Sequence, residues 1–470
     1  MTGRRPSRSV PLPSFSRPAR AAALTAGALA ACASLTAGCG AVPGATGGSG
    51  DGPIKVMTWA PQDTDATNKP GMPAMAIAYA KWVNAHGGVH GRTLKVLTCN
   101  DHNDSVGAAT CARRAAREGV VAVVGSYSQF GDSFLAPLES AGIPYIGGYG
   151  VTGDEFTGST SYPVNGGQPA LLAGLGRALA ATCGRIVLVR PDSIAGDALP
   201  ALLDSGLTAG GHAAAGDQLA AEDATEYGGQ AERALRYATG GPAGGAVPDP
   251  AQGPAQDPAS SPARDPASGA GGEGCVVPAL GDRTGTFMDS FRRAREDFPE
   301  VRTATVLGSV DQTVINATGG AAGPYEGAYI TGWYPVASDE RWEPMRKVID
   351  EEAFGDNRID PADAGVQTTW IAYTVLKAVL DGIGDGEVSA DGVRHALDDG
   401  LEVSTGGLTP TLSWSHDGEL AAVGLPRLVN ADVTLQVVRG GRLVAAKRIA
   451  GADADGTADM TKTLERAQLD

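Results

Sequence analysis

The chain has few aromatic residues, fewer basic than acidic residues and no clustered metal ligands. Aromatic residues make up 5% of its 470 residues, and the formal net charge is −16. This acidic balance argues against a nucleic-acid partner, because phosphate binding needs a basic surface. The sequence contains no C-x-x-C pair, His-x-His cluster, G-x-S-x-G elbow or H-E-x-x-H motif. No metal, cofactor or enzyme activity is therefore predicted.

The first 39 residues have the composition of an export signal. Five arginines and no acidic residue precede an Ala-rich apolar stretch that begins at Ala21. LTAGC, which ends at Cys39, resembles the lipobox of bacterial lipoproteins, and LAAC, which ends at Cys32, is a second candidate. We prefer Cys39 as the lipidated residue, because the flexible stretch 40–53 follows it as a tether would. No apolar run of 18 residues occurs later, so we expect a protein held at the outer face of the cell membrane by a lipid anchor alone.

Glycine and proline are abundant, with 67 and 30 residues, and much of the excess lies in tethers and one insert. Residues 239–274 are Pro, Ala, Gly and Asp with no large apolar residue except Val247. Such a segment cannot bury enough apolar surface to offset its ordering entropy, so it predicts a disordered insert. Residues 449–470 predict a loose C-terminal tail.

Between these segments, short apolar runs alternate with stretches of helical periodicity. This alternation predicts an α/β fold with parallel sheets and helices on both faces. Helices are expected at 73–86, 105–118, 132–141, 167–182, 195–209, 228–237, 284–298 and 363–382.

One stretch, 76–104, carries the most specific pattern. An apolar-periodic helix ends at Gly87 and Gly88, and the loop VHGR leads to the strand TLKVLTC and the polar turn NDHND. This order resembles the first lobe of type I periplasmic binding proteins, the branched-chain amino-acid binding family of ABC importers. The residues that fall in register are Asn84, Gly87, Gly88, Val89, Gly91, Arg92, Asp101 and Asp104. Residues 411–419 (TLSWSHDGE) resemble the C-terminal hairpin of the same family.

The resemblance covers most of residues 54–448 and implies both architecture and function. It implies two doubly wound parallel-sheet lobes joined by a multi-strand hinge, with lobe 1 at 54–160 and 325–448 and lobe 2 at 161–324. The implied function is capture of a small polar solute, such as an amino acid, by hinge closure and its delivery to an ABC transporter permease. A receptor module that signals the ligand to a membrane partner is the alternative.

Four cysteines remain if Cys32 leaves with the signal and Cys39 is lipidated. Cys99 ends a strand and Cys111 lies on the next helix, so a bridge between them would close the NDHND turn. Cys183 and Cys275 begin two strands that are neighbours in a doubly wound sheet. Export to an oxidising compartment therefore predicts the disulfides Cys99–Cys111 and Cys183–Cys275.

The ligand-binding residues should come from loops at the carboxyl ends of the strands. Residues 148–153 match G-x-G-x-x-G, but no helix opens there, so dinucleotide binding is improbable. By resemblance, the first-lobe loops offer hydroxyl and backbone donors for a ligand carboxylate. The second-lobe loops offer a charged pair and an acidic residue for a ligand ammonium, but Ala195 stands where the family has an aromatic wall. The candidates are Tyr127, Ser128, Gln129, Tyr149, Gly150, Thr152, Asp282, Arg283 and Asp311.

Overall fold

The computed structural model describes residues 52–64, 67–221, 224–240, 273–298, 300–306, 310–384, 386–422, 424–446 and 456–467. The predicted signal peptide 1–39 with Cys39, nearly all of the tether 40–53 and most of the predicted insert 239–274 lie outside these residues. Within the described residues, no helix combines the length and apolar character needed to cross a bilayer.

The first sheet holds five parallel strands among the described residues, in the order β2-β1-β3-β4-β5. Its strands are β1 Ile54–Trp59, β2 Leu94–Cys99, β3 Ala122–Val124, β4 Tyr145–Ile146 and β5 Ser161–Tyr162. The helices that connect the first four are α1 Gly71–Ala85, α2 Ser105–Glu118 and α3 Gly131–Ser140. The strand order reverses around β1, which makes this sheet doubly wound.

The second sheet is mixed, with the order β12-β11-β10-β9-β8-β6-β7 and β13 paired to β11. Its strands are β6 Cys183–Pro191, β7 Gly216–Ala220, β8 Glu273–Pro278, β9 Arg302–Val306, β10 Tyr329–Gly332, β11 Asp432–Arg439, β12 Arg442–Ala445 and β13 Thr457–Asp459. The strands from β7 to β10 are parallel, and β11, β12 and β13 pair antiparallel. The predicted α/β class with two doubly wound sheets is confirmed.

The other helices divide between the two sheets. The second sheet carries α4 Gly167–Ala180, α5 Ile194–Asp197, α6 Leu199–Ala209, α7 Gly228–Ala238, α8 Thr284–Ala294, α9 Gln312–Ala317 and α13 Thr461–Arg466. The first sheet carries α10 Glu343–Glu352, α11 Ala364–Ile383 and α12 Ala390–Asp398. We call each sheet with its helices the first and the second lobe.

The residues of the 76–104 motif have local structural roles. The Asn84 side chain pairs with both backbone groups of Leu94, donating to its carbonyl at 3.0 Å and accepting from its N–H at 2.8 Å. These two hydrogen bonds fix the end of α1 against the start of β2. Gly88 has φ 73°, and a Cβ there would collide with the Arg92 carbonyl. Asp104 then caps α2 by accepting from the Gly107 N–H at 2.6 Å.

Both predicted disulfides are present. Cys99, the last residue of β2, is bonded to Cys111 on α2. Cys183 is bonded to Cys275, which joins the adjacent strands β6 and β8 near their amino-terminal ends. The second bond confirms the neighbour relation on which its prediction rested, since β8 lies directly beside β6.

Helix α11 packs on the first lobe, as expected for 363–382. The Trp370 ring lies 5.2 Å from the Tyr79 ring of α1. The Tyr373 hydroxyl is 2.8 Å from the Thr58 hydroxyl of β1. These contacts return the chain to the first lobe after it has built most of the second sheet.

The lobe boundaries differ from the expected 161–324. Strand β5 (161–162) pairs with β4 in the first sheet, whereas β10 pairs with β9, and β11 and β12 extend the second sheet. The chain therefore crosses between lobes after β5, after β10 and before β11. The reason is backbone pairing: β10 pairs with the edge of β9 that the expected boundary would leave open, and β11 pairs with the far edge of β10.

The expected hairpin at 411–419 is not a pair of strands. A single bridge joins Val403 and Leu412, and the Gly418 N–H closes a turn on the Ser415 carbonyl at 2.8 Å. The buried Trp414 donates its indole N–H to the Pro163 carbonyl at 2.9 Å. Its role is to fasten this segment to the first crossing between the lobes.

The prediction of a loose tail at 449–470 is wrong for residues 456–467. Strand β13 pairs with β11, and Ala458, Met460 and Leu464 are buried in the core that includes α4 and α6. Apolar side chains at these positions gain burial that offsets the entropy of ordering the segment.

We predict that Leu464→Ala lowers the free energy of unfolding by about 2–5 kcal/mol, because it removes a fully buried side chain. Glu465→Ala, at the exposed next position, should change it little. Denaturant unfolding of both variants measures the difference, and equal stability would show that the segment does not pack as described.

Candidate functional site

A cleft of about 990 Å³ separates the loops at the carboxyl ends of β4, β6 and β8. Four of the predicted residues line it: Gln129, Gly150 and Thr152 from the first lobe, and Arg283 from the second. This is the crevice in which open parallel sheets place their ligands.

The walls of the cleft are mostly apolar with a few polar groups. Its apolar lining includes Val151, Phe156, Leu199, Leu202 and Leu280. Its charged lining, within the described side chains, consists of Asp154 and Arg283. Asp154 lies against Gly131 at the N-terminus of α3, where the helix dipole favours a negative charge. A small organic molecule with one polar end fits such a lining.

Ser193 is a cleft residue that the sequence did not single out. Its hydroxyl is buried at the mouth of the loop after β6 and has no hydrogen-bond partner among the described residues. The signal available was its position at the carboxyl end of a strand, one residue before the short helix α5. A buried hydroxyl without a partner favours a ligand that supplies one.

The loop 150–152 is occupied by a carboxylate of the chain itself. Glu155, which is 2% exposed, accepts from the N–H groups of Gly150 (3.0 Å), Val151 (2.9 Å) and Thr152 (3.1 Å). The Thr152 hydroxyl also lies 3.4 Å from this carboxylate. The N–H groups of Gly150 and Thr152 are therefore bonded within the chain, although both residues line the cleft, and their role in ligand binding stays a prediction. The spacing T-x-x-E from Thr152 to Glu155 is that of a capping box, a local signal that the sequence displays.

Burial raises the pKa of Glu155 to about 7, although the hydrogen bonds from Thr152, Gly150 and Val151 oppose the shift. A Cβ at Gly148 would collide with this carboxylate, which explains why the loop needs glycine there.

Ser128 does not face the cleft. It is buried, and its hydroxyl accepts from the Phe130 N–H at 3.3 Å. Burial raises the pKa of Asp101, in the turn after β2, and the Ser128 hydroxyl lowers it in part. Ser128 does not line the cleft, and its role as a ligand donor stays a prediction.

Tyr127 and Tyr149 pack in an aromatic cluster at the interface between the lobes. Their ring centroids are 5.1 Å apart, and the Tyr149 ring lies 5.0 Å from that of Trp333. Gln129 donates to the Tyr127 hydroxyl at 3.0 Å. The Lys69 ammonium lies 5.4 Å from the centre of the Tyr149 ring.

Asp311 faces this cluster from the second lobe. It is 8% exposed and caps α9 by accepting from the Val314 N–H at 2.9 Å. Burial raises its pKa, Lys69 lowers it, and Asp363 raises it further. Lys69 forms an ion pair with Asp363 at 3.0 Å. Lys69, Trp333 and Asp363 were missed because no short motif marks them; only the position of Asp363 before a long helix hinted at its capping role.

The last two candidates lie in the loop after β8. Arg283 is exposed to the cleft, while the side chain of Asp282 is outside the described structure. No group of three His, Cys, Asp or Glu side chains within the described residues is arranged to hold a metal ion.

Comparison with known proteins places this geometry among binding proteins. The model of a family described as periplasmic binding protein matches residues 63–422. A search of curated protein sequences gives no significant match.

Several solved structures share the fold. A substrate-binding periplasmic protein from Ralstonia solanacearum is 15% identical with a TM-score of 0.62, covering 83% of this chain and 99% of its own. A possible leucine/isoleucine/valine-binding protein from Rhodopirellula baltica is 12% identical with a TM-score of 0.64, covering 85% and 98%. A solute-binding protein of an ABC transporter from Rhodopseudomonas palustris, in complex with p-hydroxybenzoic acid, is 14% identical with a TM-score of 0.62, covering 88% and 99%.

We predict that Glu155 makes stability fall as the pH rises from about 4.5 to about 7. Its folded pKa lies above its ordinary value of 4.5, so the unfolded chain releases the proton first, and the contribution present below pH 4.5 is lost above pH 7. The free energy of unfolding of wild type should therefore fall, relative to that of Glu155→Gln, by on the order of 3 kcal/mol as the pH rises through this range.

Denaturant unfolding at several pH values measures this difference. Glu118→Gln, at an exposed position at the end of α2, is the control and should run parallel to wild type. Parallel profiles for wild type and Glu155→Gln would contradict the burial of an ionisable group in this loop.

Proposed function

The chain belongs to the periplasmic binding protein family, and from this premise we propose that it is the substrate-binding component of an ABC importer. It captures a small solute between its lobes and delivers it to the permease. The family implies an extracytoplasmic location, and the two disulfides suit an oxidising compartment. A lipid on Cys39 would hold the protein at the membrane.

The observation that carries the proposal is the cleft between the carboxyl ends of the strands. It combines apolar walls with the Arg283 guanidinium and the unpartnered Ser193 hydroxyl. These groups suit a solute with an apolar body and a carboxylate, because a guanidinium pairs with carboxylates through two parallel hydrogen bonds. Two similar structures, from Rhodopseudomonas palustris proteins, hold benzoate and p-hydroxybenzoic acid.

Lobe closure would bury the solute. The cleft is lined from both lobes, so rotation about the three crossings changes its width. Two interactions across the lobes favour a closed arrangement. The Thr313 hydroxyl of α9 donates to Asp360, before α11, at 2.5 Å, and Lys69 lies within the electrostatic reach of Asp311.

An amino acid is a weaker candidate than an acid without an amine. The expected partner for a ligand ammonium, Asp311, already caps α9 and is neutralised in part by Lys69. The remaining described carboxylate in the cleft, Asp154, lies at the N-terminus of α3.

We predict that Arg283→Gln weakens binding of the solute by on the order of 10- to 100-fold, because the carboxylate loses its charged partner. Arg292→Gln, at an exposed position on α8, the helix that follows Arg283, lies outside the cleft lining and is the matched control.

A panel of aromatic and branched aliphatic monocarboxylates is screened on wild type by native mass spectrometry and thermal shift, and binders are then titrated by calorimetry. Failure of every acid to bind wild type, or equal affinity for the Arg283→Gln variant, would overturn the proposed ligand class.

A further inference from the structure

Lys69 holds its ammonium in surroundings that resemble a binding site for a cation. The side chain is 12% exposed, forms the ion pair with Asp363 at 3.0 Å and lies against the face of Tyr149. Tyr149 in turn packs edge-on against Tyr127 and Trp333. Carboxylates and aromatic faces are the groups with which proteins bind free ammonium ions.

The carboxylates around this ammonium come from both lobes. Asp363 belongs to the first lobe: one oxygen caps α11 by accepting from the Val366 N–H at 3.0 Å, and the other accepts from Lys69. Asp311 belongs to the second lobe and uses one oxygen to cap α9. Its other oxygen has no hydrogen-bond partner among the described residues, so this charge is balanced mainly by the field of Lys69.

The strength of this balance shows in the ionisation of Lys69. Burial alone would lower its pKa, but the charges of Asp363 and Asp311 outweigh burial and raise the pKa well above its ordinary value. The Lys69 ammonium is therefore a permanent charge at the interface between the lobes. A second ammonium brought to the same carboxylates would meet a like charge.

We propose that Lys69 fills a cation-binding position between the lobes with an ammonium of the chain itself, so that a solute amine finds the carboxylates of Asp363 and Asp311 already paired. The inference deepens the proposed function, and its consequence for the solute rests on that function. The occupation of the position by Lys69 is a property of the protein without any solute.

The test is chemical rescue of Lys69→Ala. The substitution removes three methylenes and the ammonium, which together match n-propylammonium. The variant should have a lower melting temperature than wild type, and n-propylammonium should raise it in a concentration-dependent manner, because a ligand that binds only the folded state stabilises it. Wild type should not respond, since its own ammonium fills the position.

Two controls separate charge from space filling. 1-Propanol at equal concentration should not rescue Lys69→Ala, because it supplies the volume without the charge. Lys81→Ala, at an exposed position on α1, should show neither the loss nor the rescue. If Lys69→Ala does not fold unaided, refolding yield with n-propylammonium against 1-propanol becomes the readout.

Unchanged stability of Lys69→Ala, or equal rescue by 1-propanol, would overturn the inference. Both readouts are measured without solute, so they stand apart from the ligand screen. A failed screen with successful rescue would remove the proposed ligand class but leave the self-filled position. A successful screen without rescue would support the proposed ligand class and remove the self-filled position.

Discussion

The ion pair between Lys69 and Asp363, faced by Asp311 from the opposite lobe, is the constraint on which the interface between the lobes depends. One ammonium balances two helix-capping carboxylates, so the starts of α9 and α11 are oriented around a single charge. Tyr149 lies against this ammonium with one edge of its ring system toward Trp333. Tyr149 thus contacts both the charged group at the centre of the interface and the aromatic residues packed around it. The cation at this interface is thus supplied by the chain itself.

In the loops around the cleft, polar groups are likewise bonded to other groups of the chain. Glu155 holds the backbone donors of the loop after β4, and the Ser128 hydroxyl accepts from the Phe130 N–H within the loop after β3. Groups that could have bound a ligand anion instead give the loops a fixed shape. Within the described residues, the polar side chains that line the cleft include Gln129, Asp154, Gln168, Ser193 and Arg283. Arg283 is the basic side chain among the described residues of this mostly apolar lining.

The sequence allowed most of the architecture to be predicted, because alternating strands and helices, the Asn84 motif and four cysteines are local or nearest-neighbour signals. It also located the cleft, since ligand loops follow the carboxyl ends of strands. It failed where distant segments meet. Lys69 and Asp363 are 294 positions apart, and no motif announces their pairing. The assignment of β10 and β11 to the second sheet likewise depends on an open strand edge that only the assembled fold displays. Glu155 is different, because its T-x-x-E spacing from Thr152 is a local signal of a capping box.

The most direct measurement is calorimetric titration of wild type with matched pairs that differ only in the amine: 4-methylpentanoate against leucine, and 3-phenylpropanoate against phenylalanine. Because Lys69 already supplies the cation at the interface, the account predicts that the acid without the amine binds more tightly in each pair that binds. An amino acid that binds as tightly as its deaminated counterpart, or more tightly, would contradict it.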